Sequence, residues 1–153
     1  MGGVDADFTF VSGWSLGGVG PGEVAEVVTD LASYPLWWPQ VRAVARIDQD
    51  TARVLCRSTL PYTLNLVLQA VSRRPPELEV RLSGDLQGTA RWRLAAVPGG
   101  TAMEFRQEVT VTGALAWASR VARPLLAWNH ARMMTGCEAG LRSRLSAPRA
   151  AGR

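Results

Sequence analysis

Hydrophobic and polar positions alternate with period two through most of the first two thirds of the chain, and then change to a helical period. Phe8 to Trp14 alternates and predicts a first strand ending near Gly17-Gly18. Pro21 to Leu31 predicts a helix with Val24, Val27, Val28 and Leu31 as its apolar stripe; proline suits the entry and the early glutamates suit the positive end of the dipole. Tyr34-Pro-Leu-Trp-Trp-Pro39 is too rich in proline for a long helix and predicts a short turn that holds aromatic rings. Strands are predicted over Arg42–Asp48 and Arg53–Thr59, with Pro61 as a break, and over Tyr62–Arg73, closed by Pro75-Pro76. Three more are predicted over Glu77–Ser83, Gly88–Val97 and Thr101–Thr112, the last two joined by a Pro98-Gly-Gly100 turn. One face of each strand is apolar and the other charged: Ala90, Trp92 and Leu94 oppose Arg91 and Arg93, and Met103, Phe105, Val109 and Val111 oppose Glu104, Arg106 and Glu108. One dry and one wet face mark an antiparallel sheet.

From Ala114 to Leu145 the pattern is that of one long amphipathic helix containing Pro124. At 100° per residue, Leu115, Ala118, Ser119, Ala122, Leu125, Leu126, Asn129, Met133, Gly136, Cys137 and Gly140 share a face. Gly136 and Gly140 are expected to let this helix approach the sheet closely, while the small residues near its start leave room for a cavity or for intruding sheet side chains. Strands followed by one long helix make an α+β domain in which a curved seven-stranded antiparallel sheet grips the helix. The expected organisation is a single domain over residues 1–146 and a disordered basic tail over residues 147–153.

Composition narrows the chemistry. All of the 17 basic residues are arginine, which excludes lysine Schiff-base catalysis and the P-loop lysine. One histidine, His130, excludes a HExxH zinc site, and Cys56 and Cys137 form no CxxC, so no metal or other cofactor is expected. No serine stands in a nucleophile elbow. The net charge of +4 raises nucleic acid as a partner, but the arginines alternate along strands or gather in the tail, as on a solvated surface, and no nucleic-acid partner is expected. No apolar run reaches the roughly 20 residues of a membrane span. The start, MGGVDADF, has neither a basic segment nor an apolar signal core, so a cytoplasmic protein is expected.

Three segments in order resemble the START-like, Bet v 1-type (SRPBCC) superfamily, in particular its polyketide cyclase/dehydrase branch. They are Pro21–Leu31 running into Tyr34-Pro-Leu-Trp-Trp-Pro-Gln-Val41; Gly88-Thr-Ala-Arg-Trp-Arg-Leu94 with its Pro-Gly-Gly-Thr hairpin; and Trp128-Asn-His130 followed by Met133, Gly136, Gly140 and Leu141. The resemblance implies a helix-grip fold around a hydrophobic pocket. It implies binding of a lipid, isoprenoid or polyketide-like molecule or, alternatively, polyketide cyclisation, aromatisation or dehydration in the same pocket.

The candidate ligand-binding residues are Asn129, Gln107, Trp92, Phe105, Leu66, Leu68, Ser58, Ala122, Leu126 and Met133. Gln107 is the long polar side chain on the inward register of the last strand, either a ligand anchor or a strand-end residue reaching water. Asn129 either bonds a ligand carbonyl or satisfies a strand. Trp92, Phe105, Leu66, Leu68 and Met133 line a pocket or fill a core. Ser58 is expected to share the inward face of its strand with Cys56, for which core packing is the expected role. His130 either shuttles a proton or lies at the helix flank, the flank being expected; Trp117 and Trp128 either pack under loops, as expected, or mark a partner or membrane surface; Trp37 and Trp38 either gate the pocket mouth or, as expected, anchor the short helical segment. Cyclases of this family often carry a pocket arginine; Arg57 and Arg106 both read as outward here, a departure that a one-residue register slip would reverse.

Overall fold

The sheet begins with β1 (Asp5–Gly17), whose side chains Phe8, Phe10, Ser12, Trp14 and Leu16 face inward while their neighbours in the strand are exposed. It continues through β2 (Val41–Arg46), β3 (Thr51–Cys56), β4 (Leu64–Ser72), β5 (Glu77–Gly84), β6 (Leu86–Val97) and β7 (Gly100–Thr112). The structure, a computed structural model, describes residues 5–60 and 63–146, and the side chains of residues 7–60, 63–111 and 123–146. The seven strands form one antiparallel sheet in the order β1-β7-β6-β5-β4-β3-β2. Consecutive strands from β2 to β7 are neighbours, because short turns join antiparallel strands. Between β6 and β7 the chain reverses at Gly99, whose φ of +81° suits glycine.

The strands β1 and β2 lie at opposite edges, so the chain between them must cross the width of the sheet. It does so through α1 (Pro21–Thr29), a 3-10 turn (Leu31–Ser33) and the one-turn α2 (Tyr34–Trp37). The helix predicted to Leu31 therefore ends two residues earlier. The curved sheet closes over α3 (Gly113–Ser146), which runs unbroken through Pro124. This is the helix-grip α+β fold expected from the residue pattern. The charged outer face of the sheet is laced by pairs of Arg91 and Arg93 with Glu77, Glu79 and Glu108 at 3.8 to 4.0 Å. Residues 147–153, expected as a tail, lie outside the described residues, as do Pro61 and Tyr62.

Several details differ from the expectations. The buried stripe of α3 is centred on Asn129, Met134, Cys137 and Leu141, and Leu125 is exposed. The 100° projection thus missed Met134 and Leu141, since the face is chosen by contact with both the sheet and α2. Gly136 and Gly140 do not bring α3 to the sheet: a Cβ on Gly136 would meet the Gln40 side chain, and one on Gly140 the Trp37 carbonyl. The close approach is to the α2 segment. Trp128 is half-exposed, not covered by a loop; the side chain of Trp117 lies outside the described residues. Trp37 and Trp38 are buried and stacked with ring centroids 5.7 Å apart.

Candidate functional site

Between the inner face of the sheet, α1 and the middle of α3 lies a cavity of about 410 Å³. Its walls follow from strand alternation: Leu66 and Leu68 from β4, Leu78, Val80 and Leu82 from β5, Ala90 and Trp92 from β6, Phe105 and Gln107 from β7. Val28, Trp38, Cys56 and Met133 complete the interior. The lining passes from buried side chains to exposed ones at Asp30 and Ala32, at Arg46 to Asp50, and at Arg73, which form the rim. The rim hairpin is tied down: Arg73 pairs with Asp50 at 2.7 Å and donates to the Gln49 carbonyl at 2.7 Å, and Arg46 Nε donates to the Asp48 carbonyl at 3.2 Å.

A smaller space of about 80 Å³ lies beside it, between β1 and α3, lined by Phe8, Phe10, Leu86, Leu126, Asn129 and His130 among others. Cys56, Leu66, Gln107 and Met133 border both spaces.

At that border an internal polar pair joins sheet and helix: His130 Nε2 and Gln107 Oε1 are 3.0 Å apart. The two side chains share one hydrogen bond, its direction set by the imidazole tautomer. The His130 ring stacks on Phe10 at 3.9 Å with planes 10° apart, and Phe105 lies 6.2 Å away. Burial among these groups pushes the imidazole pKa down to about 4, so it is neutral at pH 7. Burial also holds the Tyr34 phenol and the Cys56 thiol protonated, the latter at about 12.

The structure brings Gln107, Trp92, Phe105, Leu66, Leu68 and Met133 onto the larger cavity, and Leu126 and Asn129 onto the smaller. Asn129 also has a structural task. Its Oδ1 accepts the Leu60 backbone N–H at 2.9 Å, and its carbonyl accepts the Ser58 hydroxyl at 3.0 Å. Ser58 borders neither cavity, because β3 ends at Cys56 and the chain has left strand alternation by residue 58. The Ala122 side chain lies outside the described residues. His130, placed at the helix flank by projection, instead points inward, since the true buried stripe is rotated toward it. Trp38 and Cys56 are lining residues that the residue pattern assigned to anchoring and packing; Trp38 Nε1 donates to the Met133 carbonyl at 3.0 Å, joining α2 to α3. Arg57 and Arg106 are exposed as expected, and the arginines that reach the cavity are Arg46 and Arg73, at its rim.

Among the described residues no cluster of His, Cys, Asp and Glu has the arrangement of a metal site, and no helix is long and apolar enough to cross a membrane.

A fold of this kind, with a curved sheet, a gripped helix and an interior cavity, defines a START-like domain. Residues 18–144 match the model of the family described as polyketide cyclase/dehydrase and lipid transport, and the chain belongs to that family. No curated protein matches it in sequence. Among solved structures it is similar to TTHA0849 from Thermus thermophilus, with a TM-score of 0.73 and 11% identity over 91% of this chain and 100% of that one. It is also similar to the Zhui aromatase/cyclase from Streptomyces sp. R1128, with a TM-score of 0.69 and 15% identity over 97% and 98% of the two chains. A START superfamily protein from Mycobacterium smegmatis superposes with a TM-score of 0.67 and 13% identity over 90% and 95%. At these identities the likeness is one of fold.

Proposed function

We propose that the protein binds one hydrophobic small molecule, a lipid, isoprenoid or polyketide-like compound, in the cavity between sheet and α3. The observation that carries this is the cavity of about 410 Å³ itself, walled by aliphatic and aromatic side chains and open at a polar rim. Small-molecule sites span roughly 300–1,000 Å³ and combine apolar walls with few polar groups. Protein interiors otherwise tolerate few voids larger than a water molecule. Burying the ligand's apolar surface supplies the driving force, about 25 cal/mol per Å². Trp92, Phe105, Leu66, Leu68 and Met133 are the proposed walls, Leu126 and Asn129 the proposed walls of the adjoining smaller space, and Gln107 the polar anchor.

The test is native mass spectrometry of the purified protein, followed by titration with a neutral fluorescent naphthalene probe. A co-purified apolar molecule, or saturable probe binding displaced by a lipid, is expected. A protein that carries nothing and binds no apolar probe overturns the reading.

A second reading, cyclisation or dehydration of a poly-β-ketone in the same cavity, is supported by one observation: a neutral imidazole, His130, hydrogen-bonded to Gln107 at the cavity wall. A neutral histidine can take a proton in such chemistry. Incubation with a poly-β-ketone and product analysis distinguish the two, since turnover that His130→Phe abolishes favours the enzyme and a recovered, unaltered ligand favours the binder. No salt-dependent binding of DNA or RNA is expected of either, since Arg91 and Arg93 on the outer face are paired with carboxylates.

A further inference from the structure

The two spaces meet at one level of the interior, and the strands give their order. Along β4, Ser72, Ala70 and Leu68 line the larger space, Leu66 borders both, and Leu64 lines the smaller alone. Along β7 the same succession runs from Phe105 through Gln107 to Val109 and Val111. Inward-facing residues stand two apart, so each step is about 7 Å along a strand. The polar rim at Arg46 to Asp50 and at Arg73 belongs to the larger space only. If the cavity is a binding site, as proposed above, a molecule that enters at the rim and lies along the strands reaches the level of Leu66 and Gln107 before it can occupy the smaller space.

Among the described residues, four side chains border both spaces: Cys56 on β3, Leu66 on β4, Gln107 on β7 and, from the opposite side, Met133 on α3. Three of them are confined. Cys56 is short and Leu66 is branched, and both are buried on the sheet face. Gln107 is buried as well and is held by its hydrogen bond to His130 at 3.0 Å. Met133 differs from all three. It is only half-buried, and it is the one that the helix contributes. Its backbone is fixed at this level, because Trp38 Nε1 donates to the Met133 carbonyl at 3.0 Å. Beyond that root an unbranched thioether chain with three rotatable bonds stands between the spaces. Truncating a sheet residue would only hollow a wall, whereas truncating Met133 opens the passage from the helix side.

We propose that Met133 sets the length of molecule that the site accepts: its side chain is the partition that ends the larger space and closes off the smaller one. Removing the partition adds about 80 Å³ to about 410 Å³. For a chain of constant cross-section that lengthens the site by about a fifth of its original length. Met133 is thus a specificity-determining residue that reads the size of the occupant.

The experiment titrates straight-chain primary alcohols, from octanol to eicosanol and delivered from cyclodextrin, against the complex with the neutral naphthalene probe. It is run on the wild type, Met133→Ala, Met133→Val and Met133→Leu. Each methylene that finds apolar space raises affinity about fourfold, so the wild-type series climbs to one chain length and then levels off. Met133→Ala is expected to move that limit outward by about a fifth and Met133→Val by less. Met133→Leu nearly conserves the volume and leaves the limit in place. The two truncations guard against one of them failing to fold. Alcohols shorter than the limit should bind all the proteins alike, whereas a general loosening of the core weakens every length together. A wild-type series without a limit, or a limit that stays in place in both truncations, overturns this inference and leaves the cavity reading standing. A wild type that binds neither the probe nor any alcohol overturns the cavity reading, and this inference with it.

Discussion

Gly140 lies directly against the backbone of Trp37, and a Cβ at residue 140 would collide with the Trp37 carbonyl oxygen. This contact, with the Trp38-to-Met133 hydrogen bond, fixes α2 on α3 and so closes one end of the fold. Gly140→Ala is expected to destabilise the protein by about 1–3 kcal/mol, because backbone must move to admit the methyl group. Gly136→Ala meets only the Gln40 side chain and should cost clearly less. Urea unfolding of the two variants checks the order; equal costs would contradict the assignment of the tight contact to residue 140.

Asn129 holds the chain after β3 through the Leu60 N–H. Asn129→Ala leaves that donor without its partner, and a loss of about 1–2 kcal/mol is expected. The specific sign is faster hydrogen exchange at the Leu60 amide than elsewhere in the sheet, measured by NMR. Unchanged protection at residue 60 would show that the bond does not hold this segment.

Ala90 contributes a buried methyl group to the cavity wall on β6. Ala90→Leu should project into the void, lower probe affinity at least tenfold and leave the melting midpoint equal or higher, as cavity filling commonly stabilises by about 0.5–2 kcal/mol. A lower midpoint with unchanged probe binding would mean that the space is already filled.

His130 titrates at about 4 in the folded chain and near its ordinary 6.5 when unfolded. The unfolded state therefore binds the proton first as pH falls. The stability associated with the neutral imidazole is fully present above pH 6.5, declines below it, and is gone once pH passes through about 4. At about 1.4 kcal/mol per pH unit this amounts to about 3 kcal/mol. The groups stacked on or bonded to the ring, Phe10, Phe105 and Gln107, carry no charge that would offset it. Unfolding free energies of the wild type and His130→Phe, measured between pH 7 and pH 4, should converge by about that amount as the pH is lowered. Parallel profiles would contradict the burial of a neutral imidazole.

Strand alternation made most of the site legible in the residue order. In β6 and β7 the inward register of Ala90, Trp92, Phe105 and Gln107 comes from period two alone, and the pairing of Trp92 with Phe105 across the two strands agrees with it. The same logic failed at Ser58. Alternation says nothing about where a strand stops, and β3 stops two residues before it. On α3 the projection identified Asn129, Met133 and Cys137 but put His130 at the edge and Leu125 inside, because a helix gripped on several sides has a buried arc set by its neighbours.

What the residue order determined by itself was the period of each segment, and with it the sheet, the long helix and the apolar inner face, since side-chain direction is a consequence of local backbone geometry. Tertiary structure alone decided that Gln40 and Trp37 seat on Gly136 and Gly140, that His130 turns in to meet Gln107, and that a void remains between sheet and helix. Those three depend on distances between segments far apart in the chain, which a local pattern does not encode.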